Sequence, residues 1–136
     1  MNSSRGWEIY PQIMYDMAMY LTKNYPDLTW VVAENGMGRE QEQNYKDETN
    51  VIQDQYRIEF IGQHLAYLLK AVDEGAKCEG YMLWAFTDCV SPMNAFKNRY
   101  GLIEIDLTDG LKRHKKASAD WYKRLITDRI LTISEK

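Results

Sequence analysis

A chain of 136 residues, 45% hydrophobic and 27% charged, is long enough to enclose one core, and it carries neither low-complexity tracts nor a regular internal repeat, so disorder and solenoid arrays are excluded. The formal net charge of −3 and a pI near 5.4 leave no positive field for a polyanion, which sets nucleic acid aside as a partner. Nowhere do the roughly eighteen consecutive apolar residues of a membrane span occur.

The N-terminal Met1-Asn2-Ser3-Ser4-Arg5 lacks the apolar core of a secretory leader. After Gly6-Trp7-Glu8-Ile9-Tyr10-Pro11, apolar Ile13, Met17, Leu21 and Tyr25 recur at helical spacing and predict a helix over 12–24, ended by Pro26. Thr29 to Ala33 is short, rich in β-branched residues and almost wholly apolar, which suits a strand buried on both faces of a parallel sheet; Asn35-Gly36 breaks it. Residues 37–53, polar and rich in carboxylates and amides, read as a long surface loop. A second helix follows, with Ile61, Leu65, Leu68, Leu69 and Val72 on a helical repeat and Gly75 placed as its C-cap glycine. Cys78 to Phe86 reads as another buried strand. Ile103, Ile105 and Leu107 alternate with Glu104 and Asp106 before Asp109-Gly110, which describes an exposed strand and a tight turn. The basic run Lys112 to Lys116 opens a last helix as a solvated face. Ser118 can cap that helix, Asp120 suits its positive end, and Trp121 and Leu125 share one side.

Helix and strand thus alternate, which implies right-handed crossovers and an α/β fold with a parallel sheet. Two buried strands make a thin sheet, and a closed eight-stranded barrel needs roughly 250 residues, so 1–136 reads as one partial domain of something larger. Cys78 and Cys89 belong to no Cys-x-x-Cys or Cys/His grouping. They predict buried free thiols, no metal site and no disulfide, and they fit a reducing cytoplasm. No cofactor is expected.

Ligands of such folds gather beyond the carboxyl ends of the strands. Two clusters stand there: Ala33-Glu34-Asn35-Gly36-Met37-Gly38, and the run from Trp84 to Gly101. Taken singly, Glu34 reads as a turn residue and Trp84 and Phe86 as core. Gly36-x-Gly38 lacks the third glycine and the helix start of a phosphate cradle.

Taken together and in order, Gly6 to Pro11, Val31-Val32-Ala33-Glu34-Asn35-Gly36, the Asp54-x-x-Arg57-Ile58 helix start and Trp84 to Gly101 resemble the last third of family 1 of the glycoside hydrolases. They resemble its 6-phospho-β-glucosidase and 6-phospho-β-galactosidase branch in particular. The resemblance implies the C-terminal part of a (β/α)₈ TIM barrel, about its last two to three β/α units. Glu34 is then the nucleophile at the end of the seventh strand, and Cys78 to Phe86 is the eighth. A retaining glycosidase needs one carboxylate to attack the anomeric carbon and a second, about 5 Å away, to protonate the leaving oxygen and later activate water. Glu34 is therefore expected among hydrogen-bond donors that keep it ionised, with Trp84 beneath the sugar.

Ordinary β-glucosidases of the family carry a Glu seven positions after that Trp, where this chain has Ser91. A hydroxyl can donate to a phosphate dianion that a carboxylate would repel. By the same resemblance Ser91 is joined by a Lys and a Tyr. Tyr100 is in register, while strict register puts Asn98 at the lysine position and Lys97 one place early. Residues 37–53 become an active-site loop, and 91–110 a phosphate loop with a β-hairpin excursion. Pro92, where galactoside-preferring members have Trp, favours 6-phosphoglucosides.

The acid/base that the resemblance implies lies in an Asn-Glu-Pro run, and none occurs in these residues. General acid–base catalysis contributes about 10²- to 10⁴-fold, so the chain alone is expected to be inactive, a fragment of an enzyme that hydrolyses 6-phospho-β-glucosides. The alternative is a non-catalytic module that binds sugar phosphates or completes a barrel with another chain. Strands without neighbours expose their edges. Self-association or a complementary barrel chain is thus expected as a partner, beside the phosphorylated β-glycoside.

Overall fold

The computed structural model describes residues 1, 2, 4 and 6–132. Helix α1 (Ile13–Asn24) leads to strand β1 (Trp30–Asn35), the short strand β2 (Arg39–Glu40) and a 3₁₀ turn over Glu42–Tyr45. Then come α2 (Gln55–Asp73), β3 (Cys78–Leu83), the short β4 (Asn98–Arg99), β5 (Ile103–Ile105), β6 (Arg113–Lys115) and α3 (Ala117–Asp128). β1 and β3 pair in parallel, Val32 opposite Tyr81 and Asn35 opposite Leu83, with α2 as the crossover between them. A parallel pair needs such a crossover, and the apolar strands flanking one amphipathic helix provide it. The sheet is two-stranded and open, so the described chain is a mixed α/β fragment without a closed barrel.

α2 organises the packing, because both α1 and α3 lie on it. Its Ile61, Leu65 and Leu68 bury against Leu102 and Trp121, with Trp30, Val32, Tyr81 and Leu83 of the strands half-buried around them. On the other side Ala18 of α1 meets Ala71 and Ala76, and these small side chains let the two helices approach closely. Gly75, with φ near 105°, ends α2 in a conformation that costs glycine little, as its position in the sequence suggests.

Several expectations change. The α1 stripe is not what packs on α2: Ile13, Met17 and Tyr25 are exposed, and so are Leu69 and Val72 of α2. β1 and β3 are likewise open rather than buried on both faces, with Val31 45% and Met82 56% exposed. The common cause is that no neighbouring strand or helix among the described residues covers these flanks. Cys78 and Cys89 are free thiols, as expected, but only half-buried.

The basic run does not open a helix. Arg113–Lys115 forms β6, antiparallel to β5, and Leu107 falls outside the strand. The alternation is inverted as well, for Glu104 is buried in an ion pair with Lys46 while Ile103 and Ile105 are only half-buried. Lys116, far from being solvated, is 1% exposed. Ser118 does not cap α3 by its own side chain. Instead the Asp54 carboxylate accepts Ser118 N at 2.8 Å and Ser118 Oγ at 2.5 Å, placing a negative group at the positive end of that helix. No helix among the described residues is long and apolar enough to cross a membrane.

Candidate functional site

The carboxyl ends of β1 and β3 are drawn together by their backbones. Trp84 N donates to Asn35 O at 2.8 Å, and Tyr81 OH donates to Asn35 Oδ1 at 2.6 Å. Gly36 is required here, since a Cβ on it would stand 1.6 Å from the Trp84 carbonyl oxygen. Beyond β3 the chain runs alongside residues 100–103. Ala85 N donates to Tyr100 O at 3.2 Å, Leu102 N to Ala85 O at 3.1 Å and Ile103 N to Phe86 O at 3.0 Å. This ladder sets Tyr100 beside the end of β3, and its ring lies so close to Gly38 that a Cβ there would be 2.6 Å from Tyr100 Cε1.

The result is an open cleft of about 420 Å³ lined by Glu34, Trp84, Ser91 and Tyr100, with Trp7 and Pro92 among its other walls. Glu34 is exposed, and among the described residues no donor bonds its carboxylate, unlike the donor-rich setting expected for it. Trp84 lines the cleft and is 42% exposed. Ser91 is held in a tight turn by paired backbone bonds with Ala95, and its Oγ accepts Met93 N at 3.3 Å. Cys89 also lines the cleft; burial, then the Asp88 carboxylate, push its thiol above the ordinary range.

Lys97 and Asn98 are not among the residues lining this cleft. The Lys97 ammonium pairs with Glu40 at 3.3 Å. Asn98 is fully buried, and neither of its amide atoms finds a partner among the described residues. Four of the six candidate side chains therefore share one cleft, and these two stand apart from it.

Beneath the cleft lies a buried ionic network that the sequence does not announce. Arg57, Arg99 and Lys116 face Glu42, Asp54 and Asp88. Arg57 Nε donates to Asp54 Oδ2 at 2.9 Å, Nη2 to Glu42 Oε1, and Nη1 to the carbonyls of Met37 at 2.7 Å and Tyr100 at 2.9 Å. Burial alone would lower the Arg57 guanidinium, but Glu42, Tyr56 and Asp54 outweigh it and raise it. Lys116 Nζ donates to Glu42 Oε2 at 2.5 Å and to Asp88 Oδ1 at 2.8 Å. Asp88 also accepts Gly101 N at 3.0 Å and Ile105 N at 3.3 Å. Tyr56 OH donates to Glu42 at 2.5 Å, its phenol pushed up first by burial and then by that carboxylate.

One guanidinium thus ties the turn after Glu34 to the backbone of Tyr100, fixing two walls of the cleft relative to each other. The available signal was the Asp54/Arg57 spacing, which puts both on one helix face; nothing in the sequence marks Glu42 or Lys116 as their partners. Among the described residues no group of three or more His, Cys, Asp or Glu is arranged to hold a metal ion.

The family model described as Glycosyl hydrolase family 1 matches residues 1–130. A 6-phospho-β-glucosidase of Bacillus subtilis (strain 168), GmuD, is 45% identical over 125 residues, covering 92% of this chain and 27% of that protein. A 6-phospho-β-galactosidase of Leptotrichia buccalis is 40% identical over 122 residues, covering 88% of this chain and 25% of that protein. Among solved structures, a family 1 β-glucosidase from Thermotoga maritima superposes with a TM-score of 0.89 at 26% identity, over 98% of this chain and 29% of that one. The chain spans about a quarter of the length of the curated relatives it matches.

Proposed function

We propose that this chain, which belongs to glycosyl hydrolase family 1, supplies the nucleophile-bearing part of a retaining 6-phospho-β-glucosidase, as the last β/α units of an eight-stranded barrel. One observation carries the reading: Glu34, Trp84, Ser91 and Tyr100 line one cleft at the carboxyl ends of two parallel strands. In it the Glu34 carboxylate attacks the anomeric carbon and Trp84 offers an apolar face to the sugar. Ser91 and Tyr100 hydroxyls donate to the 6-phosphate, and Lys97 is an exposed cation of the same loop. No metal or cofactor takes part. The general acid comes from residues outside this chain, since the chain has no Asn-Glu-Pro run. Pro92 and the higher identity to a phosphoglucosidase than to a phosphogalactosidase support glucosides over galactosides. The free thiols support a reducing cytoplasm as the setting.

Without its general acid the purified chain should not turn over a chromogenic 6-phospho-β-glucoside. Measurable hydrolysis that Glu34→Gln removes would show that 1–136 suffices and would refute this part of the reading.

The open edges of β1 and β3 and the exposed apolar side chains of α1 favour a second reading, in which the chain completes a barrel with another polypeptide or with itself. Light scattering is then expected to give a dimer or larger species, and a clean monomer at micromolar concentration counts against it.

A further inference from the structure

We infer that Glu40 governs how strongly the cleft takes a phosphorylated sugar, because it holds the Lys97 ammonium out of the cleft; this rests on reading Ser91 and Tyr100 as the donors on the phosphate side. The lining of the cleft carries one carboxylate, Glu34, and no lysine or arginine among the described residues. A phosphate dianion entering it therefore meets neutral donors, whereas hydrogen bonds from a cation are roughly twice as strong. The segment from Ser91 to Gly101 contains two cations, Lys97 and Arg99.

Arg99 is committed elsewhere. It is 7% exposed, with Nη1 3.4 Å from Asp88 Oδ2 and 3.1 Å from Ile105 O. Turning it toward a ligand would strip a buried carboxylate of part of its compensation. Lys97 is free of such ties: its side chain is 66% exposed on a flexible four-carbon stem, and its Nζ lies 3.3 Å from Glu40 Oε1.

Glu40 is the fixed member of that pair. Its backbone is locked in the β2–β4 ladder opposite Asn98, the residue next to Lys97, and its N–H donates to Ser4 Oγ at 3.1 Å. Its carboxylate is also the more buried of the two groups, at 27% exposure. Carboxylate and phosphate thus compete for a single ammonium. An ion pair this exposed is weak, so a phosphate can draw the lysine away, and removing the carboxylate charge should tighten phosphate binding by about two- to fivefold.

The test is calorimetric titration of the full 136-residue chain with glucose 6-phosphate and, separately, with glucose, at low ionic strength. The chain is compared with Glu40→Gln, Lys97→Met and the double variant. Glu40→Gln should bind glucose 6-phosphate about two- to fivefold more tightly, or bind it detectably where the parent does not, with glucose unaffected. The gain should vanish in the double variant and fade as salt is added. Glucose 6-phosphate binding that is equal or weaker in Glu40→Gln, absent in both, or improved even in the double variant overturns the inference. Ser91→Ala separates the two levels. If glucose 6-phosphate binds but Ser91→Ala leaves that binding unchanged, the assignment of the phosphate side itself fails; if Ser91→Ala weakens it while Glu40→Gln does nothing, only the role of Glu40 fails.

Discussion

Replacing Lys116 by methionine should destabilise the fold by about 3–5 kcal/mol, the range for removing one partner of a buried ion pair. The Lys116 side chain is fully buried, and its Nζ touches Glu42 at 2.5 Å and Asp88 at 2.8 Å. Methionine keeps most of the apolar stem, so the loss falls on the charge. Three buried cations facing three buried anions become two facing three, and Glu42 and Asp88 each lose a donor. Urea unfolding followed by tryptophan fluorescence reads the effect. With a slope of about 2 kcal/mol per M, the midpoint should fall by about 1.5–2.5 M. The double variant Lys116→Met/Glu42→Gln restores the balance of buried charges and should recover part of that loss. A midpoint shift below about 0.5 M, or a double variant less stable than the single one, would refute the view that this network holds the loops under the cleft.

Two further outcomes follow from local geometry. His64 is 3% exposed, its Nδ1 2.7 Å from Phe60 O and its ring centroid 4.0 Å from that of Phe60, the two planes tilted by 32°. Burial lowers its pKa below the ordinary value of 6.5, against a smaller opposing effect of the Phe60 carbonyl. The unfolded chain therefore takes up the proton first. The His64 contribution is complete above about pH 6.5 and is lost as the pH falls from there toward the folded-state value. Urea midpoints should thus be lower near pH 5.5 than near pH 7.5, by a difference that shrinks in His64→Gln; an undiminished difference contradicts this. Gly36→Ala puts a Cβ 1.6 Å from the Trp84 carbonyl oxygen and must push β1 and the end of β3 apart. It should destabilise the chain by about 2 kcal/mol or more and change the emission of Trp84, whereas unchanged stability would show that the strand ends can yield.

The sequence disclosed the local order of the fold better than its surfaces. Ile61, Leu65 and Leu68 mark the buried face of α2 because helical spacing and packing agree there. For α1 they disagree: Ile13, Met17 and Tyr25 form a clean apolar stripe, yet Ala18 makes the contact. Periodicity shows that a face wants a neighbour, not which neighbour the described residues provide. The cleft was legible in part. Glu34 and Trp84 stand at strand ends, where ligands of α/β folds gather, and Ser91 and Tyr100 share a loop with a recognisable pattern. Register put Asn98 at the lysine position and Lys97 one place early, but it did not show that Asn98 is buried in β4 while Lys97, just before that strand, is exposed and paired with Glu40. The ionic network stayed hidden because Glu42 and Lys116 lie 74 positions apart, and each sits in a charged run that looks like surface.

The most direct test of Glu34 as the nucleophile of a phosphoglucosidase is a graft. The 125 residues of this chain that match the Bacillus subtilis relative would replace their counterpart in it, so that the remainder of that 6-phospho-β-glucosidase is supplied. The chimera should hydrolyse a chromogenic 6-phospho-β-glucoside, and Glu34→Gln should abolish that turnover while leaving the chimera folded. A folded chimera that is inactive with Glu34 in place, or whose activity survives Glu34→Gln, would contradict the account.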